Sequence, residues 1–241
     1  FTPVAMPLDV PFPADLDESR AAQLAERLGH YAFRLFLRGL IVRQGPVRPE
    51  EATQYLKPAQ AEGYAEQLVA LGLAAREPDG RVRLTHPANT FGGILEWWVA
   101  RGLRERLAFD VALGLEFHAP GLGGDLDVVA AAEGKLLYVE LKSSPPKHLS
   151  QVEVDAFLQR VRRLRPDIAL FVIDTSLRLG DKVLPMFRTA LGPKAPEPRR
   201  IIREVWSLTP HLYLTNARQD LMLNIGTAIA EGLQALAPPP P

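Results

Sequence analysis

The 241-residue sequence contains no cysteine and three methionines, and its formal charges cancel, with 28 basic and 28 acidic side chains. Without cysteine there is no disulfide framework and no thiolate metal site. Without net charge there is no global field to hold a polyanion, so a nucleic-acid ligand needs a locally basic groove. The five histidines are scattered and show no ligand spacing. No apolar run approaches the roughly 18 residues of a transmembrane helix, and no charged-then-apolar leader pattern opens the chain. We therefore expect a cytoplasmic protein with no membrane partner. There is no P-loop, and Gly121-Leu122-Gly123-Gly124 lacks the strand-to-helix context of a dinucleotide loop.

What remains is ordinary globular composition, 47% hydrophobic and 23% charged, with room for one large or two small domains. Residues 1–14 carry four prolines and no periodicity, and read as an extended arm. Residues 15–87 predict a mainly helical domain. A helix runs from a cap at Asp15 or Asp17 to about Val42, with Leu24, Leu28, Tyr31, Leu35, Phe36 and Leu40 on its apolar stripe. Pro49 opens a short helix and Pro58 precedes a third that ends near Leu71. Strand, turn and strand follow around Pro78-Asp79-Gly80. Three helices and a small hairpin predict a winged helix–turn–helix. Arg81 and Arg83 on its wing are candidate phosphate contacts. The third helix offers Gln60, Glu62, Glu66 and Gln67, a poor set for reading a groove, so DNA binding and dimerisation both stay open for this domain.

Residues 88–236 read as an α/β domain and 237–241 as a Pro-rich tail. Asn89 or Thr90 caps a helix to about Leu107, and Phe109 to Phe117 is a strand. The stretch everything points to is the next pair of runs, Asp125-Leu126-Asp127-Val128-Val129 and Tyr138-Val139-Glu140-Leu141-Lys142, joined by a Glu133-Gly134-Lys135 turn. Alternation puts Asp125 and Asp127 on one face, and Glu140 and Lys142 on one face. Two carboxylates and a lysine near one sheet edge are costly to bury unless something uses them, and Mg²⁺ takes carboxylate oxygens while keeping waters for a phosphate. Ser150 then caps a helix through Leu164, and Ile168 to Ile173 is an unbroken apolar run, as in a strand buried on both faces.

The order helix–strand–strand–strand–helix–strand, with an acid on the second strand and Glu-x-Lys on the third, resembles the PD-(D/E)xK nuclease superfamily. The resemblance covers roughly Thr90 to Asp174. It implies an α/β restriction-endonuclease-like core, a mixed sheet flanked by helices in the order αβββαβ, behind the winged helix. It implies that Asp127 and Glu140 hold Mg²⁺ or Mn²⁺, that Lys142 steadies the attacking water and the transition state, and that Glu96 is a further metal ligand. Asp125 is a weaker ligand candidate than Asp127. The proline of the family name is missing here. Chemistry adds Gln151, Ser143 and Ser144 as residues near substrate, and Arg160 and Arg163 as a phosphate-tracking face. The expected activity is metal-dependent phosphodiester hydrolysis, in DNA above other nucleic acids, with a homodimer possible by fold analogy. Two alternatives stand beside it: a non-catalytic DNA-binding or regulatory protein on the same core, and a nuclease subunit whose winged helix binds a partner or a second copy.

Overall fold

The computed structural model describes residues 4–5, 8–116 and 125–237. The predicted glycine loop at 121–124, the end of the first predicted strand at Phe117, and the residues from 238 onward lie outside the described residues. The chain divides into two compact units, one spanning Leu8–Trp98 and the other built from Val99 onward with a short strand near the start of the chain. The division falls within a helix rather than at His86-Pro87, where the sequence suggests a boundary.

In the first unit, α1 (Glu18–Leu28), α2 (Tyr31–Arg43), a 3-10 turn (Pro49–Glu51) and α3 (Pro58–Ala70) precede a hairpin of β2 (Ala74–Arg76) and β3 (Val82–Leu84). Asp17 caps α1 by accepting from Arg20 N at 2.9 Å. The single helix expected to Val42 breaks at Gly29-His30. Arg34, buried in α2, donates to the carbonyl oxygens of Leu28 and Gly29 that end α1. Its guanidinium also lies 4.9 Å from the Trp98 ring centroid, and such a tertiary partner is invisible to helical periodicity. The break resets the phase, so Leu24 and Leu28 are buried from α1, and Phe33, Phe36, Leu37, Leu40 and Ile41 from α2. Gly39 lets α2 pass close to the 3-10 turn, since a Cβ there would sit 1.9 Å from the Ala52 carbonyl oxygen. The helix α4 (Gly92–Leu107) starts in this unit. Asp9 accepts from Asn89 N and Thr90 N just before it, so part of the expected arm is a capping segment.

The second unit is one mixed sheet with strand order β1-β4-β5-β6-β7-β10-β9-β8. Its strands are β1 (Val4–Ala5), β4 (Asp110–Glu116), β5 (Asp125–Ala132), β6 (Lys135–Lys142), β7 (Ile168–Ile173), β8 (Arg199–Ile202), β9 (Val205–Thr209) and β10 (Leu212–Asn216). The helices are α5 (Gln151–Leu164), α6 (Val183–Leu191) and α7 (Leu221–Leu236). From β4 to β7 the observed order is strand, strand, strand, helix, strand, preceded by α4, as expected. β6 pairs antiparallel with β5 and parallel with β7. One face of the sheet packs on α5 and α6 through Val154, Phe157, Leu158, Ala169, Phe171, Ile173 and Phe187. The alternate residues turn to α7, where a Cβ on Gly232 would lie 2.8 Å from Ile168 Cδ1. Asp220 is the N-cap of α7 and accepts from Leu223 N at 2.8 Å.

Candidate active site

Strand alternation places Tyr138, Glu140 and Lys142 of β6 on the face that α5 covers, with Leu137, Val139 and Leu141 turned away. The strand pairs Val129 with Tyr138 and Val128 with Val139. Just beyond that last pair, Asp127 Oδ2 accepts from Leu141 N at 2.6 Å. The Tyr138 ring is anchored in an aromatic row, 5.6 Å from Phe157, which in turn lies 5.0 Å from Phe171. That anchoring brings the phenol oxygen to the carboxylate two residues along the strand.

Glu140 is 1% exposed, and a carboxylate so deeply buried requires partners. Its Oε2 accepts from the Tyr138 hydroxyl. Its Oε1 accepts from Arg160 Nη2 at 2.7 Å and faces Lys142 Nζ at 3.0 Å. Arg160 Nε donates to the same Tyr138 oxygen at 2.9 Å. Lys142 Nζ also stands 3.8 Å from Glu153 Oε1. Glu153 belongs to a capping box: it accepts from Ser150 N, and Ser150 Oγ accepts from Glu153 N. Three carboxylates, Asp127, Glu140 and Glu153, thus face two cations, Lys142 and Arg160, leaving one net negative charge.

Burial acts to lower the Lys142 pKa, but the charges of Glu140, Asp127 and Glu153 raise it above the usual lysine value. The ammonium is therefore charged at neutral pH, as a cation rather than a base. Burial first, then Glu140, pushes the Tyr138 phenol well up, so it stays a hydrogen-bond donor. Burial opposes the charge of Arg160, but Glu140 and Tyr138 raise its pKa further.

The other expected site residues are spread more widely. Asp125 is exposed at the start of β5. Ser143 is half-buried and Ser144 exposed, both just past Lys142. Gln151 donates to Asp155 Oδ1 at 3.0 Å and to the Met186 carbonyl at 3.2 Å, tying α5 to the start of α6. Arg163 is exposed on the last turn of α5. Arg160, expected with it on a phosphate-tracking face, instead turns inward to Glu140. Glu96 lies on the part of α4 that belongs to the Leu8–Trp98 unit. Arg81 pairs with Asp79 at 2.6 Å and Arg83 with Glu77 at 3.1 Å, exposed ion pairs of little net strength. The sequence reading missed Glu153 and Tyr138. Both were signalled: Ser150-x-x-Glu153 is a capping-box spacing, and Tyr138 shares the face of Glu140 by alternation.

Among the described residues, no group of three or more His, Asp or Glu converges to hold a metal. Mg²⁺ commonly rests on one or two carboxylates, its remaining positions going to water and substrate phosphate. Asp127 and Glu140 meet that lesser requirement. A carboxylate offers roughly four lone-pair directions, and Tyr138, Arg160 and Lys142 occupy three on Glu140. Two carboxylates from adjoining strands are the donor chemistry that such a cation takes.

No protein-family model and no curated protein matches the sequence. Among solved structures, protein VC1899 from Vibrio cholerae is similar at TM-score 0.56 and 16% identity, over 92% of this chain and 58% of that one. Can2 from Sulfobacillus thermosulfidooxidans, solved in complex with cyclic tetra-adenylate, is similar at TM-score 0.50 and 15% identity, over 87% of this chain and 56% of that one. The chain thus spans less than three fifths of the length of either. At such identities the likeness concerns the fold.

Proposed function

We propose that this chain is a metal-dependent nuclease of the PD-(D/E)xK type, hydrolysing phosphodiester bonds with Asp127, Glu140 and Lys142. The observation that carries the reading is the meeting of Lys142 Nζ with Glu140 Oε1 at 3.0 Å on one sheet face, beside Asp127 on the neighbouring strand. Hydrolysis forms one P–O bond from water and breaks one P–O ester bond; the water gives up one proton to solvent, and the leaving oxygen takes one from solvent to end as a hydroxyl. Mg²⁺ or Mn²⁺, held by Asp127 and Glu140, supplies Lewis acidity at the phosphate when bound. Lys142, charged and three-quarters buried, provides a fixed cation where negative charge develops on the non-bridging oxygens. Its neighbours Glu140 and Glu153 set its position. DNA is the expected substrate. The winged-helix reading of residues 15–87 belongs to the same proposal, as the unit that places nucleic acid or a partner. The likeness to Can2 adds weight to a phosphodiester-linked ligand.

A second reading follows from the burial of Glu140 and its three partners: a nuclease-like core whose charged row is structural, in a DNA-binding or regulatory protein. The acidic α3, with Glu62 and Glu66, favours a protein partner within either reading. Incubation with linear, circular, nicked and branched DNA, and with RNA, with Mg²⁺ or Mn²⁺ and with chelator, separates the two. Catalysis requires metal-dependent cleavage that Lys142→Ala lowers by about 10²–10³-fold, the size of losing one transition-state donor. Equal behaviour of wild type and Lys142→Ala on every substrate refutes it.

A further inference from the structure

We infer that Arg160 and Tyr138 form a clamp that sets the Glu140 carboxylate, so that Arg160 acts through Glu140 and not on substrate. This rests on the reading that Glu140 and Asp127 hold the cation. A glutamate on a strand has three side-chain torsions to fix before its carboxylate points one way. Here the two oxygens are held by different groups, Oε2 by the Tyr138 hydroxyl and Oε1 by Arg160 Nη2 at 2.7 Å. Arg160 Nε, at 2.9 Å from the Tyr138 oxygen, closes the ring of contacts. The guanidinium fork is planar and presents its N–H vectors at fixed angles, so one side chain fixes both the phenol and the carboxylate. The Arg160 side chain is only 12% exposed, and it follows Phe157 by three residues on the buried stripe of α5. A phosphate-tracking arginine needs a wet, reachable head; this one has a dry and occupied head. Outer partners of this kind orient the groups that bind a metal, and losing one commonly costs 10–100-fold in metal affinity.

The test uses the full chain and Mn²⁺ alone, followed by electron paramagnetic resonance without nucleic acid. The variants are Arg160→Gln, Arg160→Lys and Tyr138→Phe. Arg160→Gln is expected to weaken Mn²⁺ binding about 10–100-fold, with partial recovery in Arg160→Lys and a smaller loss in Tyr138→Phe. Affinity for a short DNA duplex is measured across salt in parallel. A residue contacting phosphate takes about 0.9 from the slope of log affinity against log salt when removed; the clamp predicts an unchanged slope. Urea midpoints of Arg160→Gln, Glu140→Gln and the double variant complete the set, and the paired shifts are expected to be smaller together than their sum. Wild-type Mn²⁺ affinity in the variants overturns the clamp, as do additive midpoint shifts or a reduced salt slope. Should Arg160→Gln fail to fold, the same Mn²⁺ comparison in Tyr138→Phe and Arg160→Lys decides the matter. A wild-type chain that binds no Mn²⁺ refutes the metal-site reading itself and takes the clamp's role with it, a result distinct from intact binding that no variant alters.

Discussion

Replacing Lys142 with methionine should slow cleavage sharply while leaving the fold nearly as stable. The two effects separate because of how Glu140 is held. At 3.0 Å from Glu140 Oε1, and with an effective dielectric near 20, the gross attraction is about 5.5 kcal/mol. Desolvating the ammonium costs several kcal/mol in return, so the net contribution is on the order of 1 kcal/mol. Methionine keeps most of the aliphatic stem against the sheet. Glu140 also retains Arg160 and Tyr138 as donors, so its charge is not left alone in the core. We expect a urea-unfolding change within about 1 kcal/mol and a fall in cleavage rate of about 10²-fold or more. Equilibrium unfolding and single-turnover cleavage on one preparation provide both numbers. A loss of 3–4 kcal/mol in stability would mean that Lys142 is chiefly structural and would refute the separation, as would cleavage at the wild-type rate.

Further predictions concern pH and the packing beneath the site. The Lys142 pKa is raised above 10.5 in the fold, the acids around it outweighing its burial. Its contribution is therefore full below the unfolded value and lost only as pH rises through the higher folded value. Cleavage should show no alkaline limb from this group between about pH 7 and 10. Glu153 moves the other way: burial opposes it, but the Ser150 backbone and hydroxyl, Lys142 and Lys182 lower its pKa below 4.5. Its share of stability holds above the unfolded value and is lost as pH falls through the folded one. The acid side of the urea-midpoint profile should shift when Glu153 is replaced by glutamine. Phe157→Ala should cost about 3–5 kcal/mol, because Phe157 is fully buried against Tyr138, Phe171 and Phe187. Calorimetry checks this, and a change below about 1 kcal/mol would refute the packing argument.

Much of the sheet was legible because the relevant signals are local. The turn at Glu133-Gly134 and the alternation on either side were enough to pair β5 with β6, and Ser150 marked the start of α5. The unbroken apolar run at Ile168–Ile173 identified a strand whose every residue is buried. What stayed hidden depends on partners distant in sequence. The break at Gly29-His30 is stabilised by Arg34 from the following helix. β8 carries Arg199 and Arg200 at an exposed edge, with no alternation to mark it. Arg160 follows Phe157 on the buried stripe of α5, yet its charge suggested solvent. A buried arginine is stable only when acceptors in the core meet its donors, and no window around residue 160 contains Glu140.

At β6, as again at β10, the sheet changes between antiparallel and parallel pairing, and β6 has a hydrogen-bonded neighbour on each side. Its position is thus specified twice, by a tight hairpin with β5 and by a crossover through α5 to β7. A slide of one residue would present Leu137, Val139 and Leu141 to α5 and bury Tyr138, Glu140 and Lys142 against the opposite layer. No gradual path connects those arrangements, so the charged row is all-or-none. Sequence drift can adjust the loops that approach the row, at Ser143-Ser144 or beyond Ile173, but it cannot nudge the row itself. Any change that spares the register is therefore confined to the ends of the strands, where the loops meet the charged row.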